Sequence, residues 1–121
     1  VFPETAIFWR ALPEMYFGLS VTPENVLEIT PNLGGGLSWY KNENLKYSGL
    51  IYDLTVGEKF VQINNVRGKT NGETVCVTLK KPSGNFGVYL NGELLGANDY
   101  TVSGDSVKVS AKFRACKIEL R

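Results

Sequence analysis

The sequence of 121 residues predicts a mainly β fold, an antiparallel β-sandwich with one N-terminal helical segment. Three observations predict it. From Val26 onward, apolar and polar residues alternate in short runs, the period of half-buried strands. Turn-forming clusters separate those runs at intervals of roughly 8–12 residues, as in sandwiches. Ahead of Val26 the alternation is missing, and Phe2 to Gly18 carries apolar residues nearly all round a helix.

The helical segment takes residues 1–19 and the sandwich residues 20–121. Pro3 suits a first helical position, where a missing N–H costs nothing. Glu4 suits the positive end of the helix dipole. Gly18 can adopt the left-handed conformation that closes a helix. Pro13 either kinks this helix or starts a short second one with Glu14. Phe8, Trp9, Leu12, Tyr16 and Phe17 exceed what a small β domain can cover on one side. They are the candidate docking residues for another domain.

The strands follow. Ser20 to Asn25 is a connection with turn residues Pro23 and Asn25. Val26 to Pro31 is a short strand, ended or held at an edge by Pro31. Asn32 to Gly36 is a glycine-rich loop without the lysine of a phosphate-binding loop. Leu37 to Val56 reads as two strands around Lys41-Asn42-Glu43-Asn44. The second shifts phase, from Leu45, Tyr47 and Gly49 to Tyr52, Leu54 and Val56, which predicts a β-bulge near Gly49. Gly57-Glu58 turns the chain into Lys59–Val66, and a polar loop through Asn71-Gly72 leads to Glu73–Lys80, the clearest strand. Pro82-Ser83-Gly84 turns back into Asn85–Leu90. Asn91-Gly92 is the strongest hairpin signal. Ser103-Gly104-Asp105 joins Tyr100–Val102 to Ser106–Arg121, where a second phase shift predicts a bend near Arg114-Ala115.

Composition excludes several classes of function. The chain has 13 basic and 12 acidic residues and a net charge of +1, a balance that points neither to nucleic acid nor to an anionic membrane. No apolar run is long enough to span a bilayer, and the N-terminal apolar stretch, interrupted by Pro3, Glu4 and Arg10, is not expected to act as a secretory signal. The start at Val1 suggests a processed product or a fragment. Histidine is absent, which removes the commonest general base and metal ligand. Cys76 and Cys116 fall on opposite kinds of strand face, so both are expected as free thiols.

No catalytic residue and no cofactor are indicated. No carboxylate pair is singled out for acid–base work. Asp53, between Tyr52 and Leu54, is expected to face solvent or tie down a loop. No Gly-x-Ser-x-Gly elbow is present, and neither cysteine has a histidine to activate it. His/Cys metal binding is excluded by the counts. An oxygen-ligand calcium site near Asn64-Asn65, or near Asp99 and Asp105, lacks EF-hand spacing. The aromatics Trp39, Tyr40, Tyr47 and Tyr52 suggest either core packing or a sugar-stacking platform. Tyr47 and Tyr52 follow the apolar phase and are expected inside. Trp39 and Tyr40 are adjacent on a strand, so one of them should be exposed. They are the candidate carbohydrate-binding residues.

The order of segments resembles the C-terminal end of bacterial glycosidases and glycoside phosphorylases built on an (α/α)6 barrel. The matching segments are Leu12-Pro13-Glu14-Met15-Tyr16-Phe17-Gly18-Leu19, Val26-Leu27-Glu28-Ile29-Thr30-Pro31-Asn32-Leu33, Leu45 to Val56, and Val88-Tyr89-Leu90-Asn91-Gly92. They are similar to that family's helix ending in Gly, its strand ending in I-x-P, its Y/F-x-G-x-x-Y-x-L-x-V strand and its V-x-x-N/D-G hairpin. Gly34-Gly35-Gly36 departs from the pattern, standing where such proteins carry a turn rich in proline and tryptophan.

The resemblance implies a non-catalytic terminal domain of a carbohydrate-active enzyme. Its catalytic carboxylates would lie upstream, and its partner would be the helical catalytic domain of the same polypeptide. Two alternatives remain: an independent carbohydrate-binding module using Trp39 and Tyr40, and an Ig-like adhesion or interaction domain.

Overall fold

The computed structural model describes residues 18–31 and 39–121. The described residues form β1 (Leu19–Val21), β2 (Val26–Ile29), β3 (Trp39–Tyr47), β4 (Leu50–Gly57), β5 (Phe60–Arg67) and β6 (Thr74–Lys80). After these come β7 (Val88–Leu90), β8 (Glu93–Leu94), β9 (Thr101–Ser103), β10 (Ser106–Lys112) and β11 (Cys116–Leu120). They build a five-stranded sheet, β1-β2-β6-β10-β9, and a six-stranded sheet, β3-β4-β5-β11-β7-β8. Neighbours run antiparallel, except that β2 pairs with β6 in parallel.

The alternation read from the sequence is what closes the core. Leu27, Ile29, Val75, Val77, Leu79, Val107 and Val109 point inward from the smaller sheet. Tyr47, Leu50, Tyr52, Leu54, Val56, Val61, Ile63, Val88, Ile118 and Leu120 meet them from the larger. Phe113 fills the join between the layers. Its ring meets Tyr47 edge-on at 5.0 Å and Tyr52 at 5.2 Å. The bend expected near Arg114-Ala115 is where the chain leaves β10 in one sheet and enters β11 in the other. Changing sheets requires the apolar face to change sides, which explains the phase shift of this segment.

Several boundaries differ from expectation. Ser20 and Val21 belong to β1, which closes a hairpin with β2 through Thr22–Asn25. Asn25 there has a φ of 62°, and Thr22 Oγ1 accepts the Val26 N–H at 3.1 Å. Lys41–Asn44 is no turn, because β3 continues through it. The turn is Ser48-Gly49, with Tyr47 opposite Leu50 and φ of 52° and 77° at its two central residues. Positive φ at both is the type I′ geometry that suits strand twist. The expected bulge near Gly49 is therefore a hairpin. Pro82–Gly84 does not fold β6 back on itself; it carries the chain across to β7 in the other sheet. The Asn91-Gly92 hairpin forms as expected, with φ of 52° and 83°.

The bulges lie elsewhere, on either side of Asp53. Glu43 and Asn44 of β3 together oppose Asp53, and Asn65 and Val66 of β5 together oppose Tyr52. Asn44 and Asn65 both take left-handed conformations, with φ of 59° and 52°, which asparagine tolerates better than most residues.

No helix occurs among the described residues. The predicted N-terminal helix, with Phe8, Trp9, Leu12, Tyr16 and Phe17, lies outside them. Gly18 has a φ of 61°, and Leu19 already belongs to β1.

Candidate ligand-binding face

Side chains that point away from the core on the six-stranded sheet form two rows across the strands. The first follows directly from register. Trp39 on β3 stands opposite Gly57 on β4. One step beyond the Val56–Val61 pair, Gly57 meets Phe60 on β5. Phe60 stands opposite Glu119 on β11, Glu119 opposite Tyr89 on β7, and Tyr89 opposite Leu94 on β8. Trp39, Phe60 and Tyr89 thus occupy alternate strands, spaced by roughly 9–10 Å. The second row lies two residues along the strands: Lys41, Thr55, Gln62 and Lys117.

Two glycines shape the first row. A Cβ at Gly57 would overlap the Phe60 ring, and a Cβ at Gly87 would come within 2.9 Å of the Tyr89 ring and 3.0 Å of Leu94. Without those carbons the rings settle close over the backbone. Trp39 is 56% exposed and Leu94 65%, so both ends of the row carry large apolar side chains in water.

Charges are interleaved with the rings. Lys117 Nζ lies 5.2 Å from the Phe60 centroid, and the Arg121 guanidinium 4.4 Å from that of Tyr89. Both distances are within the range of cation–π attraction. Arg121 donates to Glu119 Oε1 at 2.7 Å, while Lys117 stands 3.9 Å from Oε2. The Arg121 hydrogen bond, helped by the Lys117 charge, holds the Glu119 carboxyl below its usual pKa.

Of the two aromatics singled out from sequence, only Trp39 lies on this face. Tyr40 pairs with Val56 on the inward side and packs against the core. The two side chains therefore cannot form one platform. Phe60 and Tyr89 escaped the sequence reading, although a signal was there. Each is an aromatic on the polar phase of its strand, beside the inward Val61 and Val88.

Asp53 shares the outward phase but is only 5% exposed. It neither reaches solvent nor stands ready for proton transfer. Oδ2 accepts Asn65 Nδ2 at 2.7 Å, and Oδ1 accepts the Asn44 N–H at 2.9 Å. Arg67 donates to Oδ1 at 3.3 Å and to Asn44 Oδ1 at 3.0 Å. The Asn65 hydrogen bond leads in lowering the Asp53 pKa, followed by the Asn44 amide, with smaller contributions from Arg67 and Lys41. This carboxylate clamps both bulges and keeps the middle of the outward face in register.

A cleft of about 380 Å³ is lined by Leu90, Leu95, Ala111 and Cys116, together with Asp99 and Arg114. Burial raises the Cys116 thiol pKa. Cys116 and Cys76 are both free thiols. Among the described residues no group of three or more Cys, Asp or Glu is placed to hold a metal ion. Asn65, weighed as a calcium ligand, spends its side chain on Asp53, and Asp99 Oδ2 accepts the Gly96 N–H at 3.3 Å.

No protein-family model matches the chain, and no curated protein matches it either.

Proposed function

We propose that this chain is a non-catalytic β-sandwich domain of a carbohydrate-active polypeptide, and that it binds glycan chains across the outward face of its six-stranded sheet. One observation carries the reading: Trp39, Phe60 and Tyr89 share a single row, with polar Thr55 and Gln62 beside it. Sugar rings present apolar C–H faces and a rim of hydroxyls. A row of rings beside a row of hydrogen-bonding side chains matches both, in the manner of ligand sites that combine apolar walls with few polar groups.

The test is affinity electrophoresis and calorimetry against a panel of soluble polysaccharides. Trp39→Ala should weaken binding at least tenfold, whereas Tyr40→Phe should leave it unchanged. If no polysaccharide binds at millimolar concentration, the reading is wrong.

A second element of the proposal concerns the N-terminal segment. We infer from its apolar pattern a helix that docks, through Phe8, Trp9, Leu12, Tyr16 and Phe17, onto a helical catalytic domain of the same polypeptide. Leu19 leads into β1, the edge of the five-stranded sheet and so the layer opposite the aromatic row. Docking there would leave the row open. Removing residues 1–17 should then change solubility or stability without changing glycan affinity. A truncated chain as soluble and stable as the whole would rule this docking out.

A further inference from the structure

We propose that the ligand of this face is a single acidic glycan chain, its sugar rings on Trp39, Phe60 and Tyr89 and its carboxylates on Lys41 and Lys117. The inference rests on the carbohydrate-binding reading above and adds the chemical class of the glycan.

The charge pattern selects an anion. The polar row has a lysine at each end, Lys41 and Lys117, and no carboxylate between them. In the aromatic row the only carboxylate is Glu119, and Arg121 holds it at 2.7 Å. Lys117, at 3.9 Å from Glu119 and with its side chain 42% exposed, is held more loosely and keeps donors free for a ligand. Lys41 is exposed. The β4–β5 turn beside the row adds one charge of each sign, Glu58 and Lys59. The two rows, with Arg121 beside Tyr89, therefore carry three cations against one anion, although the whole chain is balanced to within one charge. Aromatic walls lower the local dielectric, which strengthens what those cations can offer a carboxylate.

The shape of the face selects a single chain. Neighbouring strands rotate by about 20–25°, so the four steps from Trp39 to Tyr89 add up to roughly 80–100°. A flat crystalline polysaccharide surface could touch only one of the three rings. A separate chain crossing the strands can follow the twist and reach all of them.

The experiment measures the affinity of the full chain for polygalacturonate, alginate and polyglucuronate, each as free acid and as methyl ester. Esterification removes the charge and leaves the sugar backbone unchanged. At least one free acid should bind about tenfold more tightly than its ester, the effect of losing charge-assisted contacts at a solvated site. The difference should collapse at about 0.5 M NaCl, where the screening length falls to roughly 4 Å. Lys41→Gln combined with Lys117→Gln should remove the preference for the acid, while Trp39→Ala weakens acid and ester together.

Equal binding of acid and ester, still sensitive to Trp39→Ala, overturns the acidic-ligand inference and leaves the carbohydrate reading intact. Failure of every acid and ester, together with failure of the neutral panel, overturns both.

Discussion

Phe113 offers the sharpest test of how the two layers are joined. It is 2% exposed, and its ring meets Tyr47 and Tyr52 edge-on at 5.0 and 5.2 Å. Phe113→Ala removes the largest side chain at the crossover and leaves a cavity where neither sheet can collapse inward freely. Core Phe→Ala changes cost ~3–5 kcal/mol. Phe113→Leu keeps most of the apolar volume and loses the two ring contacts, each worth ~0.5–1.5 kcal/mol, so it should cost ~1–3 kcal/mol. Against a whole-domain stability of ~5–15 kcal/mol, the alanine variant gives up a large fraction. At about 4 °C per kcal/mol for a domain of this size, its midpoint should fall by roughly 12–20 °C. The assay is urea unfolding followed by tyrosine and tryptophan fluorescence, with thermal melts alongside. A Phe113→Ala cost below ~2 kcal/mol would refute the packing argument. Equal costs for the alanine and leucine variants would show that side-chain volume is not what matters there.

Other perturbations follow from the same geometry. Asp53, Glu73 and Glu119 all have lowered pKa values, led by hydrogen bonds from Asn65, the Asn71 amide and Arg121 respectively. Each contributes stability that is fully present above its unfolded value near 4 and is lost as pH falls through the folded value. Asp53→Asn should therefore be less stable than wild type at pH 7, and the gap should narrow as pH falls below the unfolded value of about 4, as urea midpoints across pH would show. Burial raises the Cys116 thiol, while half-buried Cys76 lies on the outward phase of β6. An aromatic disulfide reagent at pH 8 should accordingly titrate one thiol in the native chain and the second only on unfolding; two fast thiols would contradict the fold around Cys116. Gly92→Ala forces a side chain onto a φ of 83° and should lower stability by about 1 kcal/mol in urea melts. Gly57→Ala drives a carbon into the Phe60 ring, and should weaken glycan binding in the same titrations while the far-UV spectrum stays that of a β protein.

The legible parts of the fold were those written locally. Val75, Val77 and Leu79 alternate cleanly because β6 lies inside its sheet with one face buried. Asn91-Gly92 declares its hairpin because both positions need a left-handed backbone, and these two residues accept it most readily. Ser48-Gly49 makes the same turn with a weaker first residue, so Lys41–Asn44, richer in turn formers, drew the boundary instead. The bulges at Asn44 and Asn65 shift the inward phase only from Tyr40 to Leu45 and from Ile63 to Val66, too few apolar residues to announce them without the pairing to Asp53. Trp39 was visible as one of two adjacent aromatics, of which one had to face water. The row it belongs to was not visible. Residues 39, 60, 89, 94 and 119 meet only through the register of six strands, and no local window contains two of the ring-bearing ones.

The crossover at Phe113–Ala115 also constrains how the chain is made. β10 sits between β6 and β9, and β11 sits between β5 and β7. The last two strands of the domain are thus interior to both sheets. Until they arrive, β6 is paired only with β2, and the β3-β4-β5 meander has nothing linking it to the β7-β8 hairpin. Translation delivers residues at only about 5–20 per second, so a nascent chain waits with half-built layers and open edges until β10 and β11 clear the ribosome. Completion of both layers then waits on one crossover, and a chain cut before β11 leaves its larger sheet in two unconnected pieces.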